Sequence, residues 1–194
     1  MDTETTDTII RATGRSLCEY GYADLTMQRI AAESSVTTAA IHYHFDTKEE
    51  LLNAFLDDLV DRFEQQVSCE SSDPRQQLTT LLDAVFSPPK SSSDEFPVAL
   101  MELKSQAPYH DTYRDRFHEL DDTVRTVVTT AVEEGIESGY FADVDAEEIA
   151  RFVSTAINGG HVRMVALGEE PAKTRNVVED YLEGQLDWRP EERA

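Results

Sequence analysis

The sequence predicts an all-α protein of about nine helices, on three observations. Apolar residues recur at spacings of three and four over most of the 194 residues, which is the periodicity of an amphipathic helix. No segment shows the strict apolar–polar alternation of a half-buried β-strand. The residues that interrupt the periodic stretches are threonine, aspartate, glycine and proline, at positions where they begin or end helices.

The N-terminal part of the chain is predicted to hold one long helix and two short ones. The first runs from about Asp7 to Tyr20 and stops at Gly21, because glycine readily adopts the left-handed conformation that ends a helix. Thr26 is the predicted N-cap of the second helix, which Ser34-Ser35 break. The third runs from Thr37 to about Phe45. Both short helices must pack on the first, since isolated helices of this length are unstable in water.

Six further helices are predicted in the rest of the chain. Thr47 and Glu50 have the spacing of a capping box. Asp73-Pro74 is a second start signal, because proline is tolerated in the first turn. Asp145 with Glu148 is a third. The predicted helices begin near residues 47, 74, 95, 113, 145 and 172, and residues 87–93 have the composition of a loop.

The charge is strongly acidic. The chain has 39 acidic and 17 basic residues, a formal net charge of −22, and only four of the basic residues are lysines. The carboxylates are spread along the whole chain instead of forming a tail. A carboxylate-rich, lysine-poor surface is what we expect of a protein kept soluble in molar salt, so we hypothesise a halophilic source.

Several classes of protein are not expected. No apolar run approaches the roughly 18 residues that span a bilayer, and the N-terminus lacks an export signal, so we expect a cytoplasmic protein without membrane contact. Cys18 and Cys69 fit neither a disulfide framework nor a metal site, and are expected to act as small buried hydrophobes. We expect no cofactor, no metal and no catalysis, because His110 and His118 lack a nucleophile–base pair or metal-ligand spacing.

Residues 26–45 predict a helix-turn-helix, in which the second helix enters the major groove of DNA. That helix offers small and hydrogen-bonding side chains that suit close approach to base edges and thymine methyl groups. Val36, Ile41 and Phe45 are expected to face inward. Lys48 lies where a cation opposes the helix dipole, but a DNA phosphate docked there would bind both the dipole and the ammonium.

The stretch GYADLTMQRIAAESSVTTAAIHYHFDTKEELLNAFL resembles the N-terminal domain of the TetR family of repressors. The similarity is strong over about Asp7 to Leu59 and only architectural beyond it. Ser35 stands where the family usually has glycine, so some strain is expected in the turn. His42 stands where the family usually has tyrosine. The matching residues are Gly21, Tyr22, Thr26, Ile30, Ala31, Val36, Ile41, Tyr43, His44, Phe45, Lys48, Glu49, Glu50 and Leu51.

The resemblance implies a DNA-binding domain over residues 1–48 and a helical ligand-binding and dimerisation domain over residues 49–194. It places phosphate contacts at Thr26, Tyr43, His44 and Lys48. The positions that it makes face the bases are Gln28, Thr37, Thr38, Ala39, Ala40 and His42. The two histidines also suggest a metal site, which we consider the weaker reading, because their rings point to different sides of a helix.

Residues 1–48 hold four basic and seven acidic residues, a net charge of −3, which leaves −19 for the remainder. Few phosphates would therefore be neutralised by cations, and the affinity for DNA should fall only shallowly with salt.

For the C-terminal body the sequence offers candidates for two surfaces. Residues that could line a ligand pocket, or alternatively form ordinary core, are Phe86, Phe96, Met101, Tyr113, Phe117, Asn158 and His161. Residues that could form the dimer seam are Val153, Ile157, Val177, Tyr181 and Leu182. Gly159-Gly160 inside a helix indicates either a kink or a close approach, at the dimer seam or against a ligand.

The leading functional hypothesis is a homodimeric repressor that a small-molecule effector releases from a near-palindromic operator. The alternative is a helical dimer that binds a small molecule but no specific operator. The sequence does not identify the effector, the operator or the genes controlled.

Overall fold

The computed structural model describes residues 3–68, 71–87 and 95–187. Within these ranges there are nine α-helices, one short 3-10 helix at Ala107–Tyr109, and no strand, so the all-α prediction is confirmed. The α-helices are α1 (Thr3–Asp24), α2 (Met27–Glu33), α3 (Thr38–His44), α4 (Lys48–Val67), α5 (Pro74–Phe86), α6 (Phe96–Gln106), α7 (Asp111–Glu137), α8 (Ala146–Leu167) and α9 (Pro171–Leu186).

The predicted capping residues begin the helices. Thr26 Oγ1 accepts a hydrogen bond from the amide of Arg29 at 3.2 Å. Asp73 and Asp145 cap α5 and α8 in the same way, each through a carboxylate oxygen. These bonds satisfy amide groups that have no partner inside a helix.

Gly21 ends the regular part of α1, as predicted. Its φ of 72° and ψ of 170° lie outside the helical region, and one more turn follows before Asp24. A side chain at this position would also meet the carboxylate of Glu102, 2.9 Å from an added Cβ. The backbone conformation therefore requires glycine, and a larger residue would also displace the Glu102 carboxylate.

The chain forms two compact units. The first takes its described residues from Met1–Arg62 and Lys90–His118, and the second from Phe63–Pro89 and Glu119–Ala194. These units are defined by packing, whereas the predicted boundary after Lys48 divides the chain by function and stays a prediction. Helix α6 and the start of α7 thus pack with the N-terminal helices, although they lie far along the chain.

Each unit has its own apolar core. The largest fully buried side chains of the first unit include Ile9, Leu17, Ile30, Ile41, Leu51, Leu56 and Tyr113. The core of the second unit includes Leu78, Leu81, Val128, Val132, Val153, Val178, Leu182 and Leu186. Cys18 is half-buried and packs against the first core, whereas Cys69 lies outside the described residues.

The two glycines of α8 have different roles. A Cβ on Gly160 would lie 2.6 Å from Cγ2 of Thr174, so this glycine allows α8 and α9 to approach closely within the second unit. A Cβ on Gly159 would meet nothing within 4 Å. Gly160 therefore serves a close approach of two helices of the same chain, whereas the expected approach at the dimer seam or against a ligand stays a prediction.

No helix among the described residues is both long and apolar enough to cross a membrane.

Candidate nucleic-acid interface

The turn between α2 and α3 is held by Ser34. Its hydroxyl donates to the carbonyl of Ala31 at 3.1 Å, and the amide of Val36 donates to the same hydroxyl at 3.3 Å. Among the described residues the only non-glycine with positive φ is Asp187, so Ser35 does not adopt the left-handed conformation. The strain expected from serine in place of glycine is therefore absent, because this turn does not need positive φ.

Helix α3 separates an inward from an outward side. Ile41 is fully buried, and Phe45 at the C-cap is nearly so. Thr37 caps the helix, its Oγ1 accepting from the amide of Ala40 at 3.1 Å. Because α3 has only seven residues, these contacts and not helix propensity hold it in place.

The outward side of α3 carries the residues predicted to meet DNA. Tyr43 is 86% exposed. Thr37, Ala39 and His42 are also exposed, while Thr38, Ala40 and His44 are half-buried. Their side chains are small or end in hydrogen-bonding groups, which suits contact with base edges in the major groove. Thr26, the N-cap of α2, and Gln28 on α2 are exposed as well.

His44 contacts both a neighbouring ring and the first helix. Its ring lies edge-on to that of Tyr43, with centroids 5.2 Å apart. Its Nδ1 lies 3.5 Å from Oγ1 of Thr6 on α1. The sequence analysis did not single out Thr6, because no local spacing relates residues 38 positions apart. This contact orients the His44 imidazole beside Tyr43.

Lys48 begins α4 and holds its ammonium over an aromatic ring. Its Nζ lies 4.7 Å from the centroid of Tyr22, within the range of a cation–π contact. Lys48 makes no ion pair with any residue that the structure describes. The start of α4 is a capping box in which Thr47 Oγ1 accepts from the amide of Glu50 and the Glu50 carboxylate accepts from the amide of Asp46, at 3.1 and 2.8 Å.

Two of the three arginines of the N-terminal helices, Arg15 and Arg29, are engaged within the unit. Arg29 donates to the carbonyl of Asp24 at 2.7 Å, and its guanidinium lies 4.5 Å from the centroid of the Tyr20 ring. Arg15 donates to the carbonyl of Glu33 at 2.7 Å. These two contacts reduce the positive charge available to a phosphate beside α3, in keeping with the shallow salt dependence expected from the sequence.

The predicted ligand-binding residues fall in both compact units. Phe96, Met101, Tyr113 and Phe117 lie in the first, and Phe86, Asn158 and His161 in the second. Tyr113 is fully buried in the core of the first unit, where burial raises the pKa of its hydroxyl. Phe96 and Phe117 are half-buried against the same core, and Phe86 packs against the other.

Asn158 belongs to a polar cluster in the second unit. Its amide donates to the carboxylate of Asp121 at 3.3 Å and to the carbonyl of Ser154 at 3.0 Å. The buried hydroxyl of Ser154 donates to the same carboxylate. The sequence analysis did not identify Asp121, which is 37 positions from Asn158 on another helix.

The predicted seam residues differ in exposure. Val153 and Leu182 have no exposed surface in the single chain, because they form part of its own core. Neither side chain therefore has accessible surface with which to contact a partner subunit. Val177 is 59% exposed, and Ile157 and Tyr181 are half-buried. The ring of Tyr181 stacks on Phe152, with centroids 3.6 Å apart.

Two family models match the chain. Residues 9–55 match the model described as bacterial regulatory proteins of the tetR family, and residues 74–187 match the C-terminal model of BetI-type transcriptional repressors. The HTH-type transcriptional repressor KstR2 of Rhodococcus jostii (strain RHA1) is 28% identical over 143 residues, which are 70% of this chain and 67% of that protein.

Solved structures are similar over nearly the whole chain. The TetR transcription regulator from Haloarcula marismortui ATCC 43049 has 42% identity and a TM-score of 0.87, over 95% of this chain and 99% of that one. A transcriptional regulator from Saccharomonospora viridis in complex with choline has 22% identity and a TM-score of 0.82, over 95% and 98%. At that lower identity the likeness shows the fold alone.

Proposed function

Since the chain belongs to the TetR family and is a DNA-binding transcriptional repressor, we propose that it reads its operator with the exposed side of α3. The proposed base contacts come from Gln28, Thr37, Thr38, Ala39, Ala40 and His42. The proposed phosphate contacts come from Thr26, Tyr43, His44 and Lys48.

The main support for this proposal is the division of α3 into a buried and an exposed side. The helix is anchored by Ile41, while Tyr43 and His42 are left in solvent. A tyrosine as exposed as Tyr43 contributes little to packing within the chain. Its exposure on a short helix beside alanine and threonine supports the proposed contact with a nucleic acid backbone.

We propose that the active form is a homodimer on a near-palindromic operator. A two-fold protein would place two copies of α3 about 34–36 Å apart, or a multiple of that, along one face of the duplex. The exposed apolar residues of the last two helices favour a seam there. They are Val162, Leu167 and Val177, with Ile157 and Tyr181 half-buried.

A small-molecule effector would then release the operator by favouring a different conformation of the dimer. The proposed polar contacts to it are Asn158 and His161 of the second unit. Choline is the first compound to assay, because the Saccharomonospora viridis neighbour was solved in complex with it, and because the strongly acidic body would favour a cation over an anion.

The proposal is tested by replacing Tyr43 with alanine. Because Tyr43 would lose a phosphate contact, we expect the affinity for the DNA upstream of the gene to fall by about five- to ten-fold, which corresponds to about 1 kcal/mol. Fluorescence anisotropy with a labelled duplex measures this.

Tyr109→Ala is the matched control. Tyr109 is also on the first unit and 80% exposed, but it lies outside the helix-turn-helix. This variant should bind as the wild type does. Equal affinities of the two variants for the duplex would contradict the proposed role of α3.

A further inference from the structure

The contact between Lys48 and Tyr22 is unusual for the surface on which it lies. Lys48 follows Asp46 by two residues and precedes Glu49 and Glu50 directly. In so acidic a segment an ion pair would be the ordinary state of a lysine. Instead the ammonium lies over the Tyr22 ring, and no ion pair of Lys48 occurs in the described part of the chain.

Of the two carboxylates that follow Lys48 on α4, Glu49 is exposed and Glu50 is engaged in another contact. Glu50 accepts from the amide of Asp46 in the capping box. An ammonium paired with a carboxylate would already be neutralised and would have less to offer a phosphate. The aromatic face holds Lys48 in one place without neutralising it, because the attraction comes from the ring quadrupole.

Tyr22 is held through both its side chain and its backbone. It packs against the core of the first unit, which includes the fully buried Tyr113 of α7. Its backbone amide donates to the carboxylate of Glu102 on α6 at 2.6 Å. The same carboxylate approaches Gly21, whose conformation only glycine readily adopts. The backbone that carries Tyr22 is therefore set by a residue of α6.

We propose that Tyr22 is a positioning residue for DNA binding, which holds the Lys48 ammonium ready for a phosphate and is held in turn by Glu102. This inference rests on the proposed function, since it takes Lys48 to be a phosphate contact. It adds that Glu102 on α6 determines where the Lys48 ammonium lies. The Glu102 carboxylate holds the backbone of Tyr22, and the Tyr22 ring holds the ammonium.

A double-mutant cycle on the full-length protein tests the pair. Lys48→Ala should weaken operator binding and lower the slope of log K against log salt by about 1. Tyr22→Leu should weaken binding by about two- to five-fold, the range of an exposed cation–π contact. In the Lys48→Ala background it should have no further effect, because no cation is left to position. Tyr22→Phe keeps the ring face and should bind as the wild type does.

Glu102→Ala should weaken binding in the same direction as Tyr22→Leu and should likewise lose its effect when Lys48 is absent. Lys104→Ala is the matched control, because it removes one cation from the same unit, where Lys104 lies 5.6 Å from the centroid of the Phe117 ring. That variant should bind DNA with unchanged affinity.

NMR of the wild-type protein tests the contact between Lys48 and Tyr22 even if Tyr22→Leu does not fold. In the wild type, the ring current of Tyr22 should shift the NMR signals of the Lys48 ε-methylene protons upfield, and Tyr22→Phe should preserve the shift. Unshifted signals would overturn the inference.

The two proposals fail in different ways. If Lys48→Ala binds as tightly as the wild type, Lys48 is not a phosphate contact, and this inference falls while the role of α3 is still decided by Tyr43→Ala. If Lys48→Ala weakens binding and the effect of Tyr22→Leu simply adds to it, only the positioning role is overturned.

Discussion

Replacing Ile41 with alanine is expected to detach α3 from the first unit and to weaken binding to DNA strongly. Ile41 is the one buried residue within the seven residues of α3, and it is fully buried. Truncating a buried isoleucine to alanine costs about 2–5 kcal/mol in packing. A helix of this length has little stability of its own. Because packing through Ile41 holds α3 against the rest of the unit, the lost packing energy mainly weakens that attachment.

The expected result has two parts. The free energy of unfolding, from chemical denaturation, should fall by about 2–5 kcal/mol. The apparent affinity for the operator should fall by more than about ten-fold even where most molecules are folded, because the fraction of molecules with α3 docked limits binding.

Ile149→Ala provides the comparison. Ile149 is equally part of a core, but on α8 in the second unit. Ile149→Ala should lower the free energy of unfolding by a similar amount. It should change the affinity for DNA much less under conditions in which the protein is folded. If Ile41→Ala kept its affinity for the operator, α3 would not be the element that binds.

The second large effect concerns salt and the stability of the fold. The net charge of −22 is carried by carboxylates along the whole chain. Their mutual repulsion opposes the compact state. The Debye length falls from about 30 Å at 0.01 M salt to about 3 Å at 1 M, so repulsion between neighbouring helices is strong in dilute salt and nearly absent in concentrated salt.

We therefore expect the protein to unfold or aggregate in about 10 mM sodium chloride, where charges are poorly screened, and to fold fully above about 1 M. Each kcal/mol of repulsion relieved should raise the melting temperature by about 2–4 °C for a chain of this length. Circular dichroism melting curves over a salt series, with light scattering at each concentration, measure the effect.

A sucrose control distinguishes the screening of charge by salt from a general stabilisation of the compact state. Sucrose favours the compact state by exclusion from the surface but does not screen charge, so it should not replace sodium chloride at low ionic strength. A folded, monodisperse protein in dilute salt would refute the halophilic hypothesis.

The sequence predicted the features whose determinants are local. Threonine and aspartate caps, the stop at Gly21 and the inward position of Ile41 all follow from spacings of a few residues. Each involves one hydrogen bond or one face of one helix. This is why the outline of the helix-turn-helix could be predicted residue by residue.

The sequence did not predict contacts made across the chain. Glu102 and Tyr22 are 80 positions apart, and nothing in the spacing relates them. The same holds for Asp121 with Asn158. The seam prediction included Val153 because an apolar stripe on a helix does not distinguish the core of one chain from the surface between two.

The central claim is that the exposed side of α3 occupies the major groove of duplex DNA, and chemical interference on the operator tests it most directly. Methylation of guanine N7, or replacement of thymine by uracil, alters groups that only the major groove presents. We expect interference at two clusters of such positions, related by a dyad and centred about 10 base pairs or a multiple apart. Interference confined to adenine N3 in the minor groove, or none at any base, would contradict the claim.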